Sequence, residues 1–326
     1  MIRRKIANRD VNAVGLGCMG MSAFYGAPMS DKDGIALIHA ALDRGVDHFD
    51  TAELYADNER LLGLAFEGKR DKAFIATKFG PIADPVTKVS TGVDGSEANA
   101  RRAVENSLRF LKTDHIDLYY LHRKDPARSI EETVGAMAKL KQEGKINAIG
   151  LSEVNAATLR AAHKVHPIAA VQIEYSLFTR HIEQELMPAC KELGVTIVAY
   201  SPLGRGMLTG AIKKDFKPTG PDFRAMGALA PRFAGEAFDA NLALVEEIEA
   251  VAKAKGANAG QVALAWVLSH EGVVVIPGTT KLANLESNLA AADVKLTAEE
   301  NARLEALAAK VQGARYGEQG MRLVDA

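Results

Sequence analysis

Tyr55 stands five residues after Asp50 behind a short apolar run, Val46-Asp47-His48-Phe49, and an acid and a phenol so placed would share the C-terminal mouth of a strand. Lys78 closes the next strand-like run, Ala73-Phe74-Ile75-Ala76-Thr77-Lys78, and His122 closes the one after it, Ile116-Asp117-Leu118-Tyr119-Tyr120-Leu121-His122. Taken singly, each has a plain structural reading: Asp50 as a helix cap, Tyr55 as a rim aromatic, Lys78 as a solvated strand end, His122 as a satisfied core histidine. Their coincidence at successive strand ends favours chemistry. A phenol titrating at about 10 donates a proton poorly near neutrality unless a cation stabilises the phenolate. Lys78 is the candidate cation, and Asp50 the carboxylate that pairs with it. His122 either shares the substrate oxygen or passes a proton to Tyr55. Together the four suit a carbonyl oxygen that becomes an alkoxide.

The elements that must hold them follow from a repeated join. At Gly45, Gly144, Gly194 and Gly272 a helix-like segment stops on a glycine suited to the left-handed C-cap, and a strand begins at once. Ser30 with Asp33, Ser129 with Glu132 and Thr297 with Glu300 have capping-box spacing. Eight strand candidates begin near Val11, Val46, Ala73, Ile116, Ile146, Ala169, Val195 and Val273, with helices between them. In a chain of 326 residues this alternation predicts one α/β domain, 1–326, folded as a (β/α)8 TIM barrel. Met1 to Asn12 is expected to form an N-terminal hairpin, Gly204 to Gly235 a long cofactor-covering loop, Thr297 to Leu307 a helix outside the repeat, and Ala308 to Ala326 a tail. Gly15-Leu16-Gly17-Cys18-Met19-Gly20 has the dinucleotide-turn pattern, but no helix opens behind it. Gly26 and Pro28 intervene before the capped start at Ser30, so a glycine-rich loop at a barrel mouth accounts for the same residues.

Composition narrows the function. With 48% hydrophobic and 25% charged residues, a net charge of −1 and a pI near 6.7, the chain carries no electrostatic footprint for nucleic acid or an acidic membrane. Cys18 and Cys190 are far apart and lack metal-type spacing, and no apolar leader follows Met1, so a cytoplasmic protein with no metal site is expected. His163 and His166 have helical spacing but no obvious third ligand. Oligomeric state stays open.

The chain resembles the aldo-keto reductases, and within them the members related to perakine reductase and the auxin-induced-type oxidoreductases. The likeness runs from about Arg4 to Leu307 through Phe49-Asp50-Thr51-Ala52 with Tyr55, Ala76-Thr77-Lys78, His122-Arg123, Gly150-Leu151-Ser152-Glu153, Val171-Gln172-Ile173-Glu174-Tyr175-Ser176, Tyr200-Ser201-Pro202-Leu203-Gly204-Arg205-Gly206 and Ile276-Pro277-Gly278-Thr279-Thr280-Lys281. The resemblance implies NADP(H) bound in extended form, a small-molecule carbonyl substrate and a catalytic tetrad at Asp50, Tyr55, Lys78 and His122. It implies that Ser152 and Gln172 hold the nicotinamide carboxamide and that Tyr200 stacks on the nicotinamide ring. Ser201, Leu203, Gly204 and Gly206 would meet the pyrophosphate, and Gly278 to Lys281 with Asn288 the adenosine end and its 2′-phosphate. Cys18, Met19 and Asp50 are also expected to face the cofactor.

Two departures matter: Ser152-Glu153 replaces the common Ser-Asn, and the loop Ala56-Asp57-Asn58-Glu59 after Tyr55 is shorter than usual. Thr279, Thr280 and Lys281 offer hydroxyls and an ammonium to a phosphate, with no acid between Ile276 and Leu285 to favour NADH. Met19, Met21, Phe24, Tyr25 and Phe79 are expected to line the substrate pocket, while Arg205, Arg224 and Arg232 read as loop charges or substrate contacts. Two rival functions use the same features: a Schiff-base aldolase with Lys78 as nucleophile, and a regulatory binding protein on the same fold.

Overall fold

The glycine joins form as the sequence predicts. Gly45, Gly144, Gly194 and Gly272 all take positive φ, from 68° to 80°, which only a residue without Cβ adopts freely. The computed structural model describes residues 2–83, 90–218 and 222–325. Met1, residues 219–221 and Ala326, which fall within the expected hairpin, loop and tail, lie outside the described residues.

A hairpin of β1 (Arg3–Ile6) and β2 (Arg9–Asn12) precedes the repeat. The barrel strands are β3 (Leu16–Gly17), β4 (His48–Asp50), β5 (Phe74–Phe79), β8 (Leu118–Leu121), β9 (Ile149–Ser152), β10 (Ala170–Glu174), β11 (Thr196–Tyr200) and β12 (Val273–Val275). All pair in parallel in chain order, and the sheet closes where Val14 bridges Val275 and Gly17 bridges Gly278. The fold is a (β/α)8 barrel. One expectation is corrected at its start, because Val11 belongs to the hairpin and the first barrel strand begins only at Leu16. A second hairpin, β6 (Pro81–Ala83) with β7 (Ser90–Val93), was not foreseen and follows β5 at the mouth.

Helices α1 (Asp31–Asp43), α2 (Asn58–Ala65), α3 (Glu97–Leu111), α4 (Ile130–Gln142), α5 (Ala156–Val165) and α6 (Leu186–Leu193) fill the crossovers in turn. Ser129 with Glu132 and Thr297 with Glu300 make complete capping boxes, whereas Ser30 caps α1 through the Asp33 amide. His163 accepts from the Ile168 amide just past α5, a local structural role. The last crossover holds two helices, α7 (Gly235–Lys255) and α8 (Ala259–Leu268). α8 is buried on nearly every side, with Trp266 wholly enclosed, because α7 covers the face it turns away from the barrel. α9 (Leu282–Ala290) follows β12, and α10 (Ala298–Glu305) packs on α7 outside the repeat.

The tail is more than a trailing segment. It carries a short helix, α11 (Glu318–Met321), and returns across the barrel mouth, where Asp325 meets Lys124 and the Thr158 hydroxyl. Among the described residues no helix is long and apolar enough to cross a membrane.

Candidate active site

Side chains alternate across each strand, so the residues that face into the barrel can be followed from one pairing to the next. Lys78 pairs with Tyr120, Tyr120 with Gly150, and Ser152 with Gln172. Gly150 is glycine for a steric reason, since a Cβ there would stand 2.4 Å from the Tyr120 ring. Gly17 likewise lets the barrel shut, because its Cβ would meet the Ile276 carbonyl at 2.6 Å. Gly15 and Gly17 of Gly15-Leu16-Gly17-Cys18-Met19-Gly20 thus serve strand closure, and Gly20 lies in the single 3-10 turn, Met19–Met21, that follows them.

At the floor of the mouth, Asp50 receives two donors. Lys78 Nζ reaches Oδ1 at 2.5 Å, and Gln172 Nε2 reaches Oδ2 at 2.7 Å. Lys78 also donates to the Thr51 carbonyl at 2.7 Å and is fully enclosed. Burial draws the Lys78 pKa below its ordinary value, and the Asp50 charge and hydrogen bond oppose this. The ammonium lies 5.1 Å from the centroid of the Tyr55 ring, which itself meets the His122 ring edge-on at 5.7 Å. The four expected residues therefore come together. Tyr55 and His122 are each 8% exposed, at the open end of the group, while Asp50 and Lys78 lie behind them.

The electrostatics differ from the sequence expectation in one respect. Burial, then Asp50, pushes the Tyr55 phenol well above its usual range, and the cation that most opposes this is Arg123. Lys78 is committed to Asp50, and its charge is largely offset there. Burial, followed by the Arg123 and Lys78 charges, holds His122 well below the usual imidazole range, so the ring is neutral. A neutral imidazole donates a hydrogen bond to a substrate oxygen, which favours the first of the two roles open for His122. His48, two residues before Asp50, is also neutral, with its pKa lowered to about 4 by burial.

The expected cofactor residues ring this centre. Gln172 keeps its carbonyl oxygen free of Asp50, and Ser152 Oγ accepts from Arg123 at 3.3 Å, so its own proton remains available. Tyr200 ends β11 partly exposed, with Ser201, Leu203, Gly204 and Gly206 in the turn behind it. Gly278, Thr280 and Lys281 lie exposed beside the N-terminus of α9, and Asn288 is buried on that helix. Met19 is partly exposed at the mouth. Cys18 is enclosed, with its amide on the Asp50 carbonyl and its carbonyl on Asn58, and so it supports the floor. Two of the expected pocket residues are elsewhere. Phe79 points outward and stacks on Tyr119 at 5.1 Å, because Lys78 takes the inward position, and Met21 is buried in the core. Phe24 remains at the mouth, edge-on to Tyr55 at 6.3 Å, and Tyr25 lies under Arg224.

Arg315 and Tyr316 of the tail carry no signal in the sequence, whereas Glu153 stands out there as a departure from Ser-Asn. Glu153, at φ 53°, is wholly buried and pairs with Arg315 of the tail at 3.0 Å while accepting from the Glu174 amide. Burial would raise its pKa, but Arg315 and then Arg123 bring it below the ordinary value. This carboxylate therefore ties down the tail. Tyr316 shares a hydrogen bond with Tyr200 at 2.7 Å, and Arg205 is held between the Phe223 and Tyr316 rings, 4.7 and 4.5 Å from their centroids. Arg205 and Arg232 share the buried Glu174, and Arg224 pairs with Asp222. These three are structural loop charges. Sequence neighbours supply little signal for such pairs, since Glu153 and Arg315 lie 162 residues apart.

The model for "Aldo/keto reductase family" matches residues 13–309. The chain belongs to the aldo/keto reductase family. Aldo/keto reductases are oxidoreductases that reduce carbonyl groups, and the inward-facing tetrad agrees with that membership. A protein described as probable aldo-keto reductase 1 from Glycine max is 46% identical over 292 residues, which cover 88% of this chain and 83% of that protein. Glycerol dehydrogenase from Gluconobacter oxydans superposes with a TM-score of 0.86 at 30% identity, over 96% of this chain and 97% of that one. An aldo-keto reductase from Klebsiella pneumoniae, solved in complex with NADPH, gives a TM-score of 0.74 at 29% identity, over 97% and 99% of the two chains.

Proposed function

We propose that this aldo/keto reductase uses NADPH to reduce aldehydes or ketones to alcohols, with Tyr55 as the proton donor. The observation that carries the reading is the buried Lys78–Asp50–Gln172 chain beneath Tyr55, with neutral His122 alongside. The residues present suit the dinucleotide. Gln172 and Ser152 retain polar atoms for a carboxamide, Tyr200 offers a ring, and an exposed ammonium at Lys281 stands where α9 directs its N-terminal amides toward a phosphate. NADPH-bound structure in a relative supports the same choice.

NADPH supplies the hydride for the carbonyl carbon. The protein's part is to hold the carbonyl oxygen between the Tyr55 hydroxyl and the His122 imidazole, so that the electrons displaced onto oxygen meet a proton. Asp50 and Lys78 fix the floor on which Tyr55 rests, and water returns the proton to Tyr55 after turnover. The Schiff-base alternative is less well served, because Lys78 is enclosed and its ammonium is held by both Asp50 and the Thr51 carbonyl. Tyr55→Phe removes the donor while keeping the ring. Turnover is expected to fall on the order of 10²- to 10⁴-fold with NADPH affinity retained. Retained turnover in stopped-flow or steady-state assays would remove Tyr55 from the mechanism.

A further inference from the structure

Arg123 follows His122 directly and turns its guanidinium into the mouth, where Nη1 donates to the His122 carbonyl at 2.7 Å and to Ser152 Oγ at 3.3 Å. Both acceptors are neutral. Among the described residues no carboxylate lies within 4 Å of this guanidinium, in contrast with the other arginines of the mouth: Arg315 has Glu153, Arg205 and Arg232 share Glu174, and Arg224 has Asp222. Glu153 is within electrostatic reach of Arg123, but its oxygens are taken by Arg315 and the Glu174 amide. The Arg123 charge also acts on Tyr200, Tyr316 and Tyr55, and on His122 and Lys78, which surround the place where the carbonyl must sit. A partly buried guanidinium offers five donors in a planar fork, and only Nη1 is engaged here.

A charge withdrawn from water and left without a counter-ion is costly, and a ligand that brings the counter-ion removes that cost. The dinucleotide's phosphates are expected at the β11 turn and at α9, away from Arg123, so they leave this charge unmet. We propose that Arg123 is a specificity-determining residue that binds a carboxylate on the substrate, so that the enzyme prefers aldehydes and ketones bearing an acid group near the carbonyl. This rests on the carbonyl-reductase reading and adds the substrate class to it. No step of the reduction changes, because the carboxylate is held and not transformed.

The test compares 2- and 4-carboxybenzaldehyde with their methyl esters, which keep the shape and lose the charge. With NADPH consumption as the readout, at least one acid is expected to exceed its ester in kcat/KM by tenfold or more. In Arg123→Gln the acid-to-ester ratio is expected to fall on the order of ten- to a hundred-fold, carried by KM. Added salt should erode the wild-type preference. Equal kcat/KM for acids and esters in the wild type would overturn the proposal. So would an unchanged ratio in the variant; if that came with a loss of kcat and a displaced alkaline limb on both substrates, Arg123 would instead be a partner of Tyr55. Benzoate binding measured by calorimetry in the presence of NADP⁺ does not depend on turnover. Binding that weakens in Arg123→Gln supports the site, and benzoate bound equally by both proteins, or by neither, sinks it. A wild type that binds benzoate through Arg123 but oxidises NADPH with none of the four carbonyls would strike the reductase reading and spare the anion site.

Discussion

At the scale of single residues, burial decides protonation more than pairing does. Tyr55, His122 and Lys78 are all displaced from their ordinary pKa with burial as the largest cause, in the direction that disfavours charge. Outside the site the same effect acts on Glu59, which is 3% exposed in the first turn of α2 and accepts from the Thr77 hydroxyl at 2.6 Å. Burial raises its pKa to about 7 from 4.5, with the Thr77 hydrogen bond opposing. The sign follows from proton counting: between these values the folded state holds a proton that the unfolded state has released, so stability falls as pH rises through this window. A shift of this size corresponds to roughly 3 kcal/mol at most. Glu59→Gln keeps an acceptor for Thr77 and removes the titration. Its melting temperature relative to wild type is therefore expected to be higher at pH 8 than at pH 5; an offset that does not change with pH would mean that Glu59 stays ionised when folded.

At the scale of elements, the segment from Gly204 to Gly235 is not the irregular loop that its glycines and prolines suggest. Its described parts fold into short 3-10 turns at Gly204–Thr209, Phe223–Ala225, Gly227–Leu229 and Pro231–Phe233. It is pinned on two sides, by the Phe223 amide to the Phe24 carbonyl at 3.0 Å and by the Gly317 amide to the Leu229 carbonyl at 3.1 Å. Lys213, Lys214 and Lys217, which precede both anchors, remain exposed. Such a segment, continuous with the β11 turn, is expected to fold over a bound dinucleotide and to set its release. Trypsin is expected to cut at these lysines in the free protein and to be slowed by saturating NADPH. Equal cutting rates with and without NADPH would count against a lid. Arg205, gripped between a lid aromatic and a tail aromatic, couples the two segments, so protection should extend to the tail.

At the scale of the whole molecule, the two ends of the proposed cofactor fall on different strands of one barrel rim. The expected nicotinamide contacts sit on β9, β10 and β11, and those expected for the 2′-phosphate sit beyond β12 beside α9. A ligand that bridges them stabilises the folded state by mass action: NADPH at about a hundred times its Kd contributes roughly 2.7 kcal/mol. A 2′-phosphate held by Lys281 is expected to account for about 1.5 to 3 kcal/mol of NADPH binding, or roughly ten- to a hundred-fold in affinity. In thermal melts at equal concentrations NADPH is therefore expected to raise the melting temperature more than NADH, and Lys281→Ala should shrink the difference. Equal shifts from both dinucleotides in the wild type would place Lys281 outside the phosphate site.

What the sequence determined by itself was local and periodic. Glycines at Gly45, Gly144, Gly194 and Gly272, paired capping residues such as Ser129 with Glu132, and eight apolar runs were enough for an eightfold parallel barrel, because each signal acts within a few residues of chain. The tetrad was legible for the same reason: Asp50, Lys78 and His122 each sit at a strand's end, and in a closed parallel barrel all such ends share one mouth. Only the tertiary structure decided which neighbours those residues keep. The alternation that turns Lys78 inward sends Phe79 out of the pocket. Glu153 meets Arg315 across 162 residues, and the tail returns to Tyr200, because closing the barrel brings distant segments to a common rim. The unpaired charge of Arg123 was unreadable from the sequence for the same physical reason, since a guanidinium is unpaired only in relation to every carboxylate that the fold places elsewhere.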